Sequence, residues 1–130
     1  MKRAIVLAVL LLTLAGVAED VGTVIIYRLS DHRRGWKPAA LCDDQQIAEI
    51  QGGKYVTLNV SAGKHNFTSS KQKNRVEVDV KPGEQYFVRI NEPGELELVP
   101  AQQGRQQTVL MSPLEPAKVR VVCRTQTAGQ

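Results

Sequence analysis

The sequence predicts an all-β protein, an antiparallel β-sandwich of the immunoglobulin-like or prealbumin-like kind that follows an N-terminal signal peptide. Three observations support this prediction. Apolar and polar residues alternate with a period of two along several short segments, as they do in strands with one face exposed to water. Turn sequences rich in glycine and proline separate these segments. The 130-residue chain, with 42% hydrophobic and 23% charged residues, has the composition of one globular domain.

The first 18 residues have the organisation of a secretory signal peptide. Lys2 and Arg3 form a basic start, an uncharged apolar stretch follows, and small residues at 16–18 predict cleavage before Glu19. The apolar stretch at 4–18 is shorter than the roughly 20 residues that a membrane-spanning helix needs. This length favours a cleaved signal over a membrane anchor.

Cleavage would leave one β-sandwich domain at residues 19–124 and a polar tail at 125–130. The formal net charge of the whole chain is +4 and falls to +2 without Lys2 and Arg3. The remaining charges are dispersed rather than clustered, so we predict no binding to nucleic acid. We expect no membrane span after cleavage, and a secreted or periplasmic location.

Counts of cysteine and histidine bear on metal chemistry. The whole chain has two of each, which argues against multi-cysteine zinc sites and three-histidine metal sites. The sequence also lacks a phosphate-binding glycine loop, a Gly-x-Ser-x-Gly motif and a His-Glu-x-x-His motif. It therefore predicts no catalytic residue, no cofactor and no metal site.

The individual strands can be assigned from their patterns. Residues 24–27 are apolar on both sides, which is typical of a central strand with both faces covered. Residues 43–51 predict a hairpin, and Gln103-Gly104 is among the predicted turns. Four other segments alternate, with their apolar positions at Val56, Leu58, Val60, Val76, Val78, Val80, Leu96, Leu98, Val119, Val121 and Cys123.

These patterns lead to a specific expectation about the fold. We expect at least six antiparallel strands and no helix longer than about two turns. The six residues predicted to lie in the core are Val56, Leu58, Val76, Val78, Val88 and Val121.

Five segments follow one another in a recognisable order. The first is an opening strand that ends in an aromatic residue and arginine (22–28), and the second is a strand pair around a turn (42–50). A further strand (53–57), a Gly-x-His corner (60–65) and a Pro-Gly turn before a strand (82–89) follow. In this order they resemble the exported bacterial domain-of-unknown-function family 2846. The resemblance covers residues 22–98 and implies an exported bacterial β-sandwich, related in outline to PEGA and carboxypeptidase-regulatory-type modules, without implying an activity. It also implies that His65 is a corner residue that braces a turn.

The loop after the first strand contains the predicted partner-binding residues, His32, Arg33, Arg34 and Trp36. Loops carry many binding residues, and arginine and tryptophan often dominate interfaces. In the alternative interpretation the loop is solvated and Trp36 packs over the edge of the sandwich.

Cys42 and Cys123 are candidates for a disulfide, because an exported protein reaches an oxidising compartment. Alternation places Cys123 toward the core, whereas Cys42 follows Leu41 and can face outward, so the pairing stays open. The neighbouring Asp43 and Asp44 fit a turn better than a pair of carboxylates at one site, because adjacent residues in a strand point to opposite faces.

Two classes of function remain. The first is an exported, non-catalytic module that binds a protein or a cell-envelope component. The alternative is a small secreted hydrolase or metal-dependent enzyme that uses His32 or His65. No nucleophile, base and orienting residue stand at a recognisable spacing in the sequence, which favours the first class.

Overall fold

A computed structural model describes residues 20–30, 35–71 and 73–123, and these residues form two β-sheets packed as a sandwich. This confirms the predicted all-β sandwich. The strands are β1 (Val21–Arg28), β2 (Ala39–Cys42), β3 (Gln45–Glu49), β4 (Lys54–Ser61), β5 (Gly63–Ser69), β6 (Val76–Val80), β7 (Gln85–Asn91), β8 (Glu95–Val99) and β9 (Ser112–Pro113). A helix, α1 (Ala101–Thr108), and a 3-10 turn (Pro116–Lys118) follow β8 and β9. The predicted signal peptide, the predicted tail and the loop residues His32, Arg33 and Arg34 lie outside the described residues.

The first sheet has the strand order β8-β7-β1-β4-β9, and the second has the order β3-β2-β5-β6. Most neighbouring strands are antiparallel, but β1 pairs with β7, and β4 with β9, in parallel. The expectation of antiparallel pairing is wrong for these two pairs. The reason is the path of the chain, since β6 belongs to the second sheet and the chain crosses between sheets to reach β7 beside the start of β1.

Strand β1 lies in the middle of the first sheet, which explains why it is apolar on both sides. Val24 and Ile26 point into the core between the sheets. Ile25 and Tyr27 lie on the outer face, in a cluster with Phe87 of β7. Helix α1 packs on β7 at this face, so both faces of β1 are covered as predicted.

Helix α1 approaches the sheet closely at Gly104. A Cβ atom placed on Gly104 would stand 2.2 Å from Cγ of Phe87. Glycine costs about 1 kcal/mol relative to alanine inside a helix, but here it allows the helix backbone to cover an aromatic ring. The predicted turn at Gln103-Gly104 is therefore wrong, because this glycine serves helix–sheet contact.

A hairpin forms near the predicted position, but its strands are β2 and β3 at residues 39–49, so its first strand precedes the predicted range 43–51. Asp43 and Asp44 form its two-residue connection, with φ angles of 49° and 67°. Tight hairpins with the right-handed twist of a sheet need such positive angles, and aspartate adopts them more readily than most side chains. This turn places the Asp43 carboxylate at one end of the second sheet.

Four of the six predicted core residues are at most 5% exposed: Val56, Leu58, Val78 and Val88. Val76 is partly buried against the same core. Val121 is 70% exposed, so its assignment to the core is wrong.

The error at Val121 has a structural cause, because residues 119–122 do not form the predicted strand. Residues 119–123, here called the C-terminal segment, instead bridge the two sheets through single backbone hydrogen bonds. Arg120 N–H donates to the Ile47 carbonyl of β3 at 2.8 Å, and Ser61 N–H of β4 donates to the Cys123 carbonyl at 2.9 Å. A segment that is held between two sheet edges has no regular alternation between core and solvent.

The outer cluster predicts a dependence of stability on alkaline pH. Tyr27 is fully buried, and its hydroxyl group is hydrogen-bonded to Gln107 of α1. Burial raises the pKa of the Tyr27 phenol above its ordinary value of 10.0, an effect that nearby Arg89 only partly offsets. The Tyr27 phenol therefore ionises at a lower pH in the unfolded chain than in the folded protein.

We expect Tyr27 to contribute stability that is complete below its unfolded pKa and is lost as pH rises through its folded pKa. Urea unfolding at about pH 8 and about pH 11 measures this loss. The Tyr27→Phe variant should lose less stability between these two values than the wild type does. An equal loss in both proteins would assign the alkaline dependence to other groups.

Candidate functional site

Candidate residues gather at the two opposite ends of the sandwich. The first group surrounds the β2–β3 turn, close to the start of β1, and includes both cysteines and His65. The second group lies where β1 ends, and includes Trp36.

At the first end, Cys42 and Cys123 form a disulfide with their Cα atoms 6.2 Å apart. Cys42 is fully buried and Cys123 is 8% exposed. The outward orientation considered for Cys42 is wrong, because Ala40 and Cys42 share the inner face of β2 and Leu41 points away from it. The bond attaches the C-terminal segment to the second sheet.

The carboxylate of Asp43 lies against this disulfide. Its Oδ2 atom is 2.6 Å from Nδ1 of His65, a distance typical of a charge-assisted hydrogen bond. Its Oδ1 atom accepts a hydrogen bond from the Asn66 N–H group at 2.9 Å. Oδ2 is also 3.3 Å from Sγ of Cys123, but this contact is no hydrogen bond, because a disulfide sulfur carries no hydrogen.

His65 is held from its other side by Ser61, the last residue of β4. Nε2 of His65 is 2.8 Å from the Ser61 carbonyl oxygen and 3.1 Å from the Ser61 hydroxyl oxygen. A carbonyl oxygen only accepts hydrogen bonds, so the shorter contact places a proton on Nε2. The His65 side chain is 11% exposed, and it joins the β2–β3 turn to the corner between β4 and β5.

The order Ser61, His65 and Asp43 superficially matches a nucleophile, a base and an orienting carboxylate. A general base needs an unprotonated Nε2 facing the hydroxyl group, whereas here Nε2 donates to a carbonyl. The contacts around His65 therefore brace the corner.

The same cluster contains metal-ligating atoms. Cys42, Asp43, His65 and Cys123 each offer one ligand atom, and these four atoms lie within 4.8 Å of one another. Cysteine binds metals as a thiolate, so the two sulfur atoms are not ligands while the disulfide is formed.

Sequence reasoning found the members of this cluster separately but missed that they meet. The sequence does place Ser61 and His65 on either side of Gly63, as a tight corner requires, and Asp43 beside Cys42. A Cys42–Cys123 pairing was the one available signal that residues so far apart in sequence lie together.

At the other end, Trp36 is anchored by Arg28, the last residue of β1. The Cζ atom of Arg28 is 4.4 Å from the centroid of the Trp36 ring. The Arg28 guanidinium also donates to the carbonyl oxygens of Trp36 at 2.7 Å and Ile50 at 3.0 Å. Arg28 is only 2% exposed, so the base of the predicted binding loop is attached to a rigid strand end.

Large apolar side chains are exposed at this same end. Leu29 is 40% exposed, Val109 is 72% exposed and Leu110 is 94% exposed. Gly53 connects the end of β1 with the start of β9 through backbone hydrogen bonds. Its N–H group donates to the Arg28 carbonyl oxygen at 2.8 Å, and its carbonyl oxygen accepts from the Ser112 N–H group at 3.2 Å. The turn after α1 and the end of β1 therefore lie at the same end of the first sheet, with the start of β4 between them.

Comparison of the chain with protein-family models, with curated proteins and with solved structures finds no match. The resemblance to family 2846 stays a prediction. None of the helices within residues 20–30, 35–71 and 73–123 has the length and apolar character needed to cross a membrane. The disulfide is compatible with an oxidising compartment, where such bonds form and persist.

Proposed function

We propose that the protein is a non-catalytic β-sandwich module, secreted or periplasmic, that binds a protein partner through one end of the sandwich. The proposed contact surface, here called the loop-end surface, consists of Leu29, the loop residues 32–36, Val109 and Leu110. One observation carries the proposal. Leu110 is 94% exposed on a turn at the end of the first sheet where β1 ends and the predicted binding loop begins.

Exposure of neighbouring apolar side chains supports an interface at this end. Single exposed leucines are common in monomeric proteins, but clustered ones rimmed by polar residues mark interaction sites. Val109 and Leu110 are adjacent, and Leu29 follows β1 at the same end of the sheet, across the start of β4. Anchoring of Trp36 by buried Arg28 supports the surface further, because a rigid base reduces the ordering cost of binding.

The charge of the loop indicates the kind of partner. Between residues 29 and 37 the sequence has three basic residues, Arg33, Arg34 and Lys37, and one acidic residue, Asp31. Complementary charges speed association and select partners. We therefore infer a partner surface with an apolar centre and acidic residues around it.

The alternative of an enzyme that uses His65 has less support. The Nε2 atom of His65 is nearer to the Ser61 carbonyl oxygen, at 2.8 Å, than to the Ser61 hydroxyl oxygen, at 3.1 Å. Proton transfer from the hydroxyl group would first require this contact to break. His32, the other candidate, lies outside the described residues.

Site-specific photo-cross-linking in the source cells tests the proposal. A benzophenone amino acid at position 110 should form an adduct with a different protein. The matched control carries the same amino acid at position 102, in place of the exposed Gln102 at the start of α1, and should form no such adduct.

The cross-link should also depend on the chemistry of the surface. The Arg33→Ala/Arg34→Ala variant, tested with the probe at position 110, should lower adduct yield at least about tenfold, as loss of central interface residues does. Its thermal unfolding should be unchanged. Trp36 is left intact, because removal of its ring would disturb Arg28. Equal adducts from both probe positions, or adducts only with a second copy of this chain, would contradict the proposal.

A further inference from the structure

We propose that reduction of the Cys42–Cys123 disulfide converts the cluster at the β2–β3 turn into a zinc site. Its four ligands are the thiolates of Cys42 and Cys123, Nδ1 of His65 and Oδ2 of Asp43. This inference does not depend on the proposed partner, which binds at the opposite end of the sandwich.

The four donor atoms are already close enough to surround one ion. They lie within 4.8 Å of one another. In a tetrahedral zinc site with Zn–S bonds of about 2.3 Å and Zn–N or Zn–O bonds of about 2.0–2.1 Å, donor atoms stand about 3.3–3.8 Å apart. Reduction breaks the bond between the sulfur atoms and lets them separate, and the ion would replace the 2.6 Å contact between His65 and Asp43.

Hydrogen bonds outside the cluster already orient two of the ligands. Metal-binding histidine usually donates its other ring N–H to a carbonyl or carboxylate group. Nε2 of His65 makes such a contact with the Ser61 carbonyl oxygen at 2.8 Å, which leaves Nδ1 facing the cluster. Likewise Oδ1 of Asp43 accepts from the Asn66 N–H group at 2.9 Å, which leaves Oδ2 facing the cluster.

The cluster is buried on one side and open to solvent on the other, so an ion can enter it and be retained there. Cys42 is fully buried at the inner side, while the Asp43 side chain is 43% exposed at the outer side. An ion can therefore reach the cluster past Asp43. Cys123 belongs to the C-terminal segment rather than to a strand, so its side chain can move away from Cys42 without breaking a sheet ladder.

A dithiol is the reductant that opens the Cys42–Cys123 disulfide. Thiol–disulfide exchange breaks the Cys42–Cys123 bond and transfers two electrons and two protons to its sulfur atoms, while the dithiol is oxidised to its own disulfide. Zinc binding then displaces the two thiol protons and any proton that Nδ1 of His65 shares with Asp43. Mixed sulfur, nitrogen and oxygen ligands suit Zn²⁺, which is of borderline softness. Disulfide and zinc are mutually exclusive, so the thiol redox state decides which one closes this end of the sandwich.

Cobalt(II) is a suitable spectroscopic probe, because it takes the same tetrahedral ligands and has visible absorption. The full chain, reduced with a phosphine that does not hold the metal, should show the thiolate-to-cobalt charge-transfer band and the intense visible bands of a tetrahedral site. Added Zn²⁺ should abolish these bands by displacement. The oxidised protein should show neither band.

Ligand variants distinguish this site from binding by the two thiolates alone. His65→Ala should weaken cobalt binding by about a hundredfold or more, since even partners outside the first ligand sphere account for 10–100-fold. Asp43→Asn, which retains the positive φ of the turn, should weaken it by about tenfold or more. The matched control Ser61→Ala removes a neighbouring hydroxyl group but keeps the carbonyl oxygen, and should bind as the wild type does.

Circular dichroism of the reduced protein covers the case in which it unfolds. Zinc should then restore the β-sheet spectrum, because binding to a folded site drives folding. A folded reduced protein without the tetrahedral cobalt spectrum would overturn the inference. So would a reduced chain that stays unfolded with zinc, or cobalt affinity that is unchanged by both His65→Ala and Asp43→Asn.

Discussion

Replacement of Cys42 and Cys123 by alanine is expected to lower the free energy of unfolding by about 4–5 kcal/mol. The disulfide closes a sequence separation of 81 residues, and the chain-entropy treatment of cross-links predicts a large stabilisation for a loop of this length. Urea unfolding under oxidising conditions without added metal measures the loss.

The single replacements provide the control for this experiment. Cys42→Ala and Cys123→Ala each remove the whole cross-link, so each should cost nearly as much as the double replacement, and the two effects should not add. A double variant that loses less than about 1 kcal/mol would show that the bond constrains little of the unfolded chain.

Replacement of Phe67 by alanine should destabilise the protein by about 3–5 kcal/mol, the range found for buried aromatic side chains. Phe67 is fully buried on β5 and is paired in register with Cys42 of β2 and Val76 of β6. Its ring fills the core close to the disulfide, so its removal leaves a cavity in the centre of the second sheet. Thermal and urea unfolding with the disulfide intact give the value.

Lys64→Ala is the matched control on the same strand. The Lys64 side chain is 72% exposed, and its ion pair with Glu77 is long, at 3.9 Å. Exposed pairs of this kind contribute about 0–1 kcal/mol, so this change should be nearly neutral. Equal effects of the two replacements would mean that Phe67 does not pack as described.

For the candidate zinc site, the sequence supplied the residue types but not their assembly. Asp43 and His65 are 22 positions apart, and Asp43 and Cys123 are 80 positions apart. No local period relates residues at such distances. They meet because β2 pairs with β5 within one sheet and because the C-terminal segment returns to that sheet.

For the loop-end surface, the sequence identified the loop and its tryptophan but missed the exposed turn at Val109 and Leu110. Apolar residues in a sequence are ordinarily assigned to a core, and only the structure shows that these two follow α1 at the edge of the sheet. The anchoring of Trp36 by Arg28 is likewise a tertiary contact that no local pattern predicts, because it depends on where β1 ends.

The sequence by itself determined the class of the fold, the hairpin at Asp43 and Asp44 and the central position of β1, because side-chain alternation and turn chemistry are local properties that neighbouring residues encode. Only the tertiary structure decided the parallel pairing of β1 with β7, the burial of Gly104 against Phe87 and the irregular path of the C-terminal segment. These features depend on which sheet edge is open and on how closely two backbones approach. Such contacts join residues that are distant in sequence, and no period in the chain records them.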